Sequence, residues 1–442
     1  MFANDHDTIF APASGAGRAA IAILRISGAG CSDALKAIAA RAEFPDRRAV
    51  LRTLRHPQSH EPLDRSLITR FQAPRSFTGE EMAEIGVTGG RAVMSALLEA
   101  LALVPGLRPA EPGEFAWRAF INGKIDLSEV EGLADLVEAE TEAQRRQAQN
   151  IAGGALRREC EAIRLNLLEA MAAVEAQIDF ADVEDSSDFT LESVRGAARA
   201  SLERIDRALA TADSAQRLRE GFVVVIAGPP NVGKSTLMNA LAGRDVAITS
   251  PIAGTTRDLI EVFLDLRGYP VILVDTAGVR ESQDPIEQEG VARARLRAET
   301  ADLSLWLDDG GGNPVPNHKS PTLALRTKID LDEPRSSSAG TEGLAISART
   351  GAGIDRLLDV IAELAEEGMA SREPALLTLE RHRRAFQDAR QALASALKSE
   401  AAEPELIAED LRRAASAMER IVGRIGVEDV LGEIFARLCV GK

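Results

Sequence analysis

The chain has 442 residues, 45% of them hydrophobic and 27% charged, with a formal net charge of −16; it is too long for one ordinary core, and its acidity argues against a protein that coats nucleic acid through bulk positive charge, though not against a local basic patch. Cys31, Cys160 and Cys439 are isolated and form no CxxC pair, which supports neither a disulfide framework nor a zinc site. The N-terminus lacks the basic-then-apolar pattern of a secretory signal and no run is apolar enough to span a membrane, so a reduced cytoplasmic enzyme without a membrane segment is expected.

Residues 1–118 mix strands with helices. AAIAILRIS (19–27) reads as a buried strand, LITRFQ (67–72) as another, and SFTGEEMAEIGVTGG (76–90) as a short strand among loops; Leu97–Leu103 reads as helix. This fits a small α+β domain. From Asp126 the texture is helical. Asp126 and Glu129 have the spacing of a capping box, and Leu127, Val130, Leu133, Leu136 and Val137 recur at helical spacing. Helical patterning continues over 166–178 and 194–212. The acidic stretch DFADVEDSSDF between them (179–189) follows no metal-ligand spacing and reads as a solvated loop.

From Phe222 to about residue 370, the apolar runs FVVVIA, PVILVD, LSLWLD and TLALRT alternate with helical segments. That is the pattern of a parallel sheet covered by helices. After Ser371 helix returns: Ile407, Leu411, Ala415, Met418, Ile421, Val422 and Ile425 form one stripe, and Val430, Leu431, Ile434, Phe435 and Leu438 a last one beyond Gly426. The expected architecture is multidomain. It comprises an α+β N-terminal domain (1–118), an all-α helical domain in two parts (119–218 and 371–442), and an inserted α/β P-loop domain of Ras-like type (219–370).

GPPNVGKST (228–236) matches G-x-x-x-x-G-K-[ST] after a strand and at the start of a helix. Backbone N–H groups of Asn231, Val232, Gly233 and Thr236 are placed to wrap phosphate; Lys234 neutralises the β- and γ-oxygens, and Ser235 offers a hydroxyl to Mg²⁺. DTAG follows: Asp275 can hold Mg²⁺ through water, Thr276 and Ala277 continue the motif, and the Gly278 N–H can sense the γ-phosphate. In TKID, Thr327 and Lys328 lead to Asp330, whose carboxylate can accept from guanine N1–H and the 2-amino group together. Adenine lacks that donor pair, so GTP is favoured over ATP. Ser347, Ala348 and Arg349 can close over the base. The usual first residue of the base-reading motif is Asn; here it is Thr327. Many GTPases place the attacking water with a Gln just after DxxG. Here that position is Val279, so the water must be placed from elsewhere.

TSPIAGTTRD (249–258) is the expected switch loop, with Thr256 completing the Mg²⁺ shell. GPPNVGKS followed by IAGTTRD and DTAG is similar to the MnmE (TrmE) family of tRNA modification GTPases. The similarity extends to DTIFAPASGAGRAAIAILRISG (7–28), SFTGEEMAEI (76–85), and RPAEPGEFAWRAFINGKIDLSEVEGLADL (108–136).

The resemblance implies a K⁺ ion against the phosphates, held by Asn231, Ser250, Ile252 and Thr255, the Ile through its carbonyl. The same switch segment carries Pro251, Ala253 and Gly254 to the nucleotide. Glu287 would orient the water, although alone it reads as a surface helix carboxylate. The resemblance further implies a dimerising N-terminal domain that binds a tetrahydrofolate (5,10-methylene or 5-formyl) through Arg25, Glu84, Lys124 and Lys442. Thr88-Gly89-Gly90 stands where the family usually has His-Gly-Gly.

A flavin-dependent partner, MnmG, would supply FAD chemistry. The complex would add aminomethyl or carboxymethylaminomethyl groups to C5 of the wobble uridine of certain tRNAs. Arg145/Arg146, Arg157/Arg158 and Arg381/Arg383/Arg384 are candidate tRNA contacts, each also readable as a solvated helix face. A second reading is a GTPase switch timing ribosome or RNA assembly, with no modification chemistry. The chain ends Cys439-Val440-Gly441-Lys442. By composition this is a frayed helix end. By resemblance it is a tail reaching the folate and the uridine, with Cys439 as nucleophile, acid/base or a positional residue.

Overall fold

The computed structural model describes residues 7–15, 17–40, 44–179, 191–248, 261–275, 301–311, 320–331, 344–370, 375–398, 404–424, 434–435, 438 and 441. By its internal contacts the chain divides into two compact units. Unit 1 comprises 1–134, 151–197 and 398–442; unit 2 comprises 135–150 and 198–397. The helical segments of 119–218 and 371–442 are therefore distributed over both units.

Unit 1 is built on a six-stranded sheet of order β3-β4-β5-β2-β1-β6. The strands are β1 (Thr8–Pro12), β2 (Ile21–Ser27), β3 (Ala49–Arg55), β4 (Pro62–Phe71), β5 (Met82–Thr88) and β6 (Leu107–Pro109). All neighbours pair antiparallel except β1 and β6. Helices α1 (Cys31–Ala39) and α2 (Arg91–Ala102) cover one face, over a core of Phe10, Leu24, Ile26, Ile68 and Ile85.

The opposite face is covered only in part. At the β1 end, Ile9 and Ala11 pack with Ala110, Phe77 and Phe115 of α3 (Glu114–Ile121). Further along, Ile21 and Ile23 of β2, Leu51 of β3 and Leu67 of β4 stay exposed. The expectation of a buried strand over 19–27 is thus corrected. Side chains alternate across a pleated strand, and only the Leu24 and Ile26 side enters the core. Helix α2 also begins at Arg91, earlier than the expected Leu97.

Helices α4 (Leu127–Glu138), α5 (Glu142–Ala152), α6 (Ala155–Asp179) and α7 (Leu191–Ala210) follow. The capping box is present: the Asp126 N–H donates to Glu129 Oε2 at 2.8 Å, and the Glu129 N–H donates to Asp126 Oδ1 at 2.9 Å. The buried face of α4 differs from expectation. Leu127 and Val130 are buried, but Val137 is exposed, and Ser128, Glu131 and Gly132 turn inward instead. A Cβ on Gly132 would lie 2.4 Å from the Ala152 nitrogen, so close backbone approach decides that face.

In unit 2, α8 (Ala212–Glu220) leads into a sheet of order β12-β11-β10-β7-β9-β8. Its strands are β7 (Phe222–Ala227), β8 (Glu261–Leu266), β9 (Tyr269–Asp275), β10 (Leu303–Asp308), β11 (Thr322–Arg326) and β12 (Leu344–Ala345). Only the edge strand β8 runs antiparallel. The predicted apolar runs are the parallel strands; β8, with its alternating polarity, was not among them. Helices α9 (Lys234–Ala242) and α10 (Ile354–Met369) pack Leu237, Leu241, Leu357 and Ile361 into the sheet's core.

Helix α11 (Glu380–Lys398) belongs almost wholly to this unit. Helix α12 (Pro404–Val422) lies in unit 1 along α6. It buries Ile407, Leu411, Ala415, Met418, Ile421 and Val422 as its stripe predicts. The whole is a multidomain chain whose α/β P-loop domain is inserted between helical segments.

Candidate functional site: a nucleotide cradle and a guanidinium cluster

β7 is central in its sheet, flanked by β9 and β10, and the glycine-rich loop leaves its carboxyl end, where ligands of such sheets bind. The loop is shaped by backbone conformations that exclude most side chains. Gly228 has φ +146°, and a Cβ there would lie 2.6 Å from the Leu307 carbonyl oxygen. Asn231 and Gly233 have φ +63° and +106°. These turns aim successive N–H groups into the cradle ahead of α9.

Lys234 Nζ donates to the Gly228 and Pro229 carbonyls, both at 2.8 Å, so the ammonium lies across the loop where phosphate oxygens would replace those carbonyls. Ser235 opens α9, and its hydroxyl donates to Asp275 Oδ2 at 3.1 Å. Asp275 ends β9 and is buried. A hydroxyl beside a buried carboxylate is an oxygen-only donor set of the kind Mg²⁺ selects, so the described residues fit that ion. Thr276, Ala277 and Gly278, the switch residues Ser250, Pro251, Ile252, Ala253, Gly254, Thr255 and Thr256, and Glu287 lie outside the described residues.

The base-reading turn follows β11. Asp330 stands in a single 3-10 turn (Ile329–Leu331), and the Ser347 hydroxyl donates to its Oδ1 at 2.6 Å. That bond, with the nearby Arg349 charge, holds the Asp330 carboxyl below its ordinary range, so it stays ionised and can only accept. Lys328 has φ +59°, and its Nζ pairs with Asp309 at 2.9 Å. Thr327 is buried, and its hydroxyl donates to the Val232 carbonyl at 2.8 Å. Ala348 packs against the core of the sheet. The structure brings Asn231, Val232, Gly233, Lys234, Ser235, Thr236, Asp275, Thr327, Lys328, Asp330, Ser347, Ala348 and Arg349 into this one domain.

In unit 1, Arg25 and Glu84 are direct partners across β2 and β5. Arg25 Nε and a terminal nitrogen donate to Glu84 Oε1 at 3.1 and 2.8 Å. The other terminal nitrogen donates to the Gly441 carbonyl at 3.1 Å. The guanidinium also lies 5.4 and 5.7 Å from the Phe77 and Phe115 ring centroids. Two rings, a carboxylate and a chain-end carbonyl therefore converge on one cation. The family resemblance points to Arg25 and Glu84 but not to the two phenylalanines, which stand in SFTGEE and PGEFAW, segments already singled out. Lys124 is engaged differently, its Nζ donating to the Pro74 carbonyl at 2.8 Å. Thr88, where the family usually has His, donates its N–H and hydroxyl to Asp64. Cys439 and Lys442 lie outside the described residues.

Behind this cluster is a charge lattice. Glu114 and Arg118 of α3 are both buried and paired at 3.1 Å. Arg108 reaches Glu114 at 2.6 Å, Arg118 reaches Glu80 at 3.1 Å, and Glu80 accepts from Ser27 at 2.7 Å.

The arginines proposed for tRNA are already engaged. Arg145 and Arg146 pair with Glu142, Arg157 with Glu129, Arg383 with Asp213 and Arg384 with Glu380, and Arg158 donates to the Gly153 carbonyl. Arg381 has a partner too. Such exposed pairs are weak enough to open for phosphate. Among the described residues no helix is long and apolar enough to cross a membrane, and no group of three or more His, Cys, Asp or Glu side chains is arranged to hold a metal ion. The acidic stretch 179–189 falls, but for its first residue, outside them.

A glycine-rich phosphate loop with its lysine, a hydroxyl–carboxylate pair at Ser235 and Asp275, and the Asp330 turn, all on one largely parallel sheet, have the arrangement of a P-loop GTPase. The family model for the MnmE helical domain matches residues 127–439, and that for the N-terminus of the GTP-binding protein TrmE matches 8–124. A tRNA modification GTPase MnmE of Beijerinckia indica subsp. indica is 51% identical over 438 residues, covering 99% of this chain and 96% of that one. The proteins of the same name from Methylobacterium sp. (strain 4-46) and Methylorubrum populi are 51% and 50% identical, each over 99% of this chain and over 100% and 98% of their own. The chain belongs to the MnmE family of tRNA modification GTPases.

Proposed function

We propose that this GTPase is the K⁺-activated hydrolytic component of a complex that modifies C5 of the wobble uridine in certain tRNAs. The product is an aminomethyl or carboxymethylaminomethyl uridine, and the added carbon comes from a tetrahydrofolate. The observation that carries this reading is the Arg25 cluster. A GTPase switch for RNA assembly has no use for a guanidinium held between two rings, a carboxylate and the chain's own C-terminal segment.

The cluster suits a reduced folate. Glu84 accepts from a pterin N–H edge, the half-buried Phe77 offers a face to a flat heterocycle, and Arg25, backed by the buried Phe115, serves carbonyl or anionic groups. Lys124 and Lys442 are the further contacts expected. Mg²⁺ would be held by Ser235 and Thr256, with Asp275 behind them; K⁺ would be held by Asn231, Ser250, Ile252 and Thr255. Bound there, the two cations would supply positive charge against the phosphates. Asp275 orients the Ser235 hydroxyl, Lys234 moves from loop carbonyls to phosphate, and Glu287 orients the water. The protein acts in the cytoplasm as a homodimer with the flavin-dependent partner MnmG, which supplies the FAD chemistry.

Titration of 5-formyltetrahydrofolate against the intact protein tests the folate reading; no measurable affinity favours the switch alternative. Hydrolysis in KCl against NaCl tests the cation. Rates should be much higher in KCl, and Asn231→Ala should abolish the difference.

A further inference from the structure

Thr327 occupies the position where the base-reading motif usually has Asn. It is buried, with its N–H donating to the Asp308 carbonyl at 2.8 Å. Its hydroxyl reaches the Val232 carbonyl at 2.8 Å and the Asp308 carbonyl at 3.4 Å. A hydroxyl has one proton to donate, and the shorter contact takes it. Val232 is itself buried, and it lies between Asn231 and Gly233, both at positive φ. Its carbonyl direction is therefore fixed by the fold of the phosphate loop.

We propose that Thr327 is a positioning residue and not a base ligand: its hydroxyl fastens the base-reading turn to the phosphate loop and leaves no donor for the purine. Two bonds hold Thr327, its hydroxyl to the Val232 carbonyl and its N–H to the Asp308 carbonyl; three residues along the same turn, Asp330 is held separately by the Ser347 hydroxyl. They set the Asp330 carboxylate at a defined distance from the phosphates. Lys328 is tied to Asp309, so guanine discrimination falls on Asp330 and the 2-amino and N1–H groups it accepts from. An Asn at this site carries two N–H donors. One can keep the tether and leave the other for a purine acceptor such as N7.

The test compares GTP, 7-deaza-GTP (no N7 acceptor) and ITP (no 2-amino group) on the full-length protein and its Thr327→Val, Thr327→Ser and Thr327→Asn variants. Wild-type protein should bind 7-deaza-GTP within about twofold of GTP and reject ITP by about tenfold or more, the loss expected when Asp330 is left half-paired. Thr327→Val leaves the Val232 carbonyl unpaired, and both GTP affinity and the GTP/ITP ratio should fall several-fold; Thr327→Ser should restore the ratio. Thr327→Asn should acquire a preference for GTP over 7-deaza-GTP. A wild-type loss of about tenfold on 7-deaza-GTP would show the hydroxyl serving the base and overturn the proposal. So would an unchanged GTP/ITP ratio in Thr327→Val. If that variant does not fold, the wild-type 7-deaza comparison and the Asn variant still decide.

Discussion

Ser235 and Asp275, forty positions apart in sequence, meet at 3.1 Å where α9 begins and β9 ends. The parallel register of β7 and β9 brings Ile226 opposite Asp275, so the end of one strand delivers the carboxylate beside the loop that follows the other. Without metal, the hydroxyl proton is donated to the carboxylate. Were Mg²⁺ held here, Ser235 would supply the ligand oxygen and Asp275 would orient it. Asp275→Asn should therefore weaken Mg²⁺ by roughly 10–100-fold, the usual cost of losing an outer-shell partner, while nucleotide binding without metal changes little. Mg²⁺ titration of GTP hydrolysis reads this directly; an unchanged midpoint would remove Asp275 from the metal site.

Arg25 is held from four sides, and a lysine cannot reproduce that. Its guanidinium supplies two donors to Glu84 and one to Gly441 while lying near two rings. An ammonium is a point charge that neither forks nor stacks in the same way. Arg25→Lys should lower 5-formyltetrahydrofolate affinity by about tenfold or more, equivalent to about 1.4 kcal/mol, with the loss falling on folate and not on nucleotide affinity. Isothermal titration with each ligand separates the two. Equal folate affinity in the variant would mean that the cluster is structural only.

The sequence made the GTPase sheet readable because its parallel strands are continuous apolar runs and its loop motif has a fixed spacing. The α12 stripe and the Asp126–Glu129 cap were readable for the same reason: both are local patterns. What stayed hidden depends on contacts between distant segments. Nothing in FVVVIA or TKID says that the Thr327 hydroxyl is spent on Val232. Nothing in SFTGEE says that Phe77 turns toward Arg25 and not toward the helix-covered core. The buried face of α4 was misread because a glycine, with no hydrophobic side chain to count, decides which side approaches the backbone at Ile151 and Ala152. The outward side of β2 departs from the buried strand the sequence suggests because periodicity alone does not say whether a second layer covers the sheet.

The α3 charge lattice gives unit 1 an acid-sensitive element. Burial raises the Glu114 carboxyl, but bonds from Arg108, the Glu111 N–H and Arg118 outweigh it, and the net position is below the ordinary 4.5. A carboxyl depressed in the folded state stabilises above its unfolded value, and that stability is lost as pH falls through the folded one. Glu114→Gln should cost about 3–5 kcal/mol near neutrality, because the buried Arg118 loses part of its compensation. It should also flatten the acid limb of thermal stability. Scanning calorimetry from about pH 3 to pH 7 checks both; parallel acid limbs in wild type and variant would assign the sensitivity elsewhere.

The capping box at α4 offers a smaller and cleaner effect. Asp126 Oδ1 accepts from the Glu129 N–H and the Ser128 hydroxyl, and Glu129 reaches back to the Asp126 N–H. Asp126→Ala should cost about 1 kcal/mol and Asp126→Asn much less. That predicts a fall in the melting temperature of roughly 2–4 °C for the alanine variant. Equal melting of wild type and alanine variant would mean that packing, and not the cap, fixes the start of α4.

Two glycines bear on how Phe435 and Gly441 are seated. A Cβ on Gly113, at φ +75°, would lie 2.1 Å from the Phe435 carbonyl oxygen, and one on Gly441 would lie 2.2 Å from the Pro12 carbonyl oxygen. Both neighbours are backbone, so neither can yield as a side chain would. Phe435 is further fixed edge-on to Trp117 at 5.3 Å and beside Phe120 at 6.0 Å. At its described residues the stretch that reads as a frayed helix end is therefore seated: Phe435 lies against Gly113, and the Gly441 carbonyl accepts from Arg25. Gly441→Ala should push residue 441 away from Pro12 and withdraw its carbonyl from Arg25. Uridine modification in a reconstituted assay should then fall by about tenfold or more, while GTP hydrolysis keeps most of its rate. Gly113→Ala acts through Phe435 and should add a loss of thermal stability of about 1–3 kcal/mol, the cost of overpacking. Full modification by Gly441→Ala would show that the chain end can sit elsewhere and still serve the reaction, and would sever the link between Arg25 and the tail.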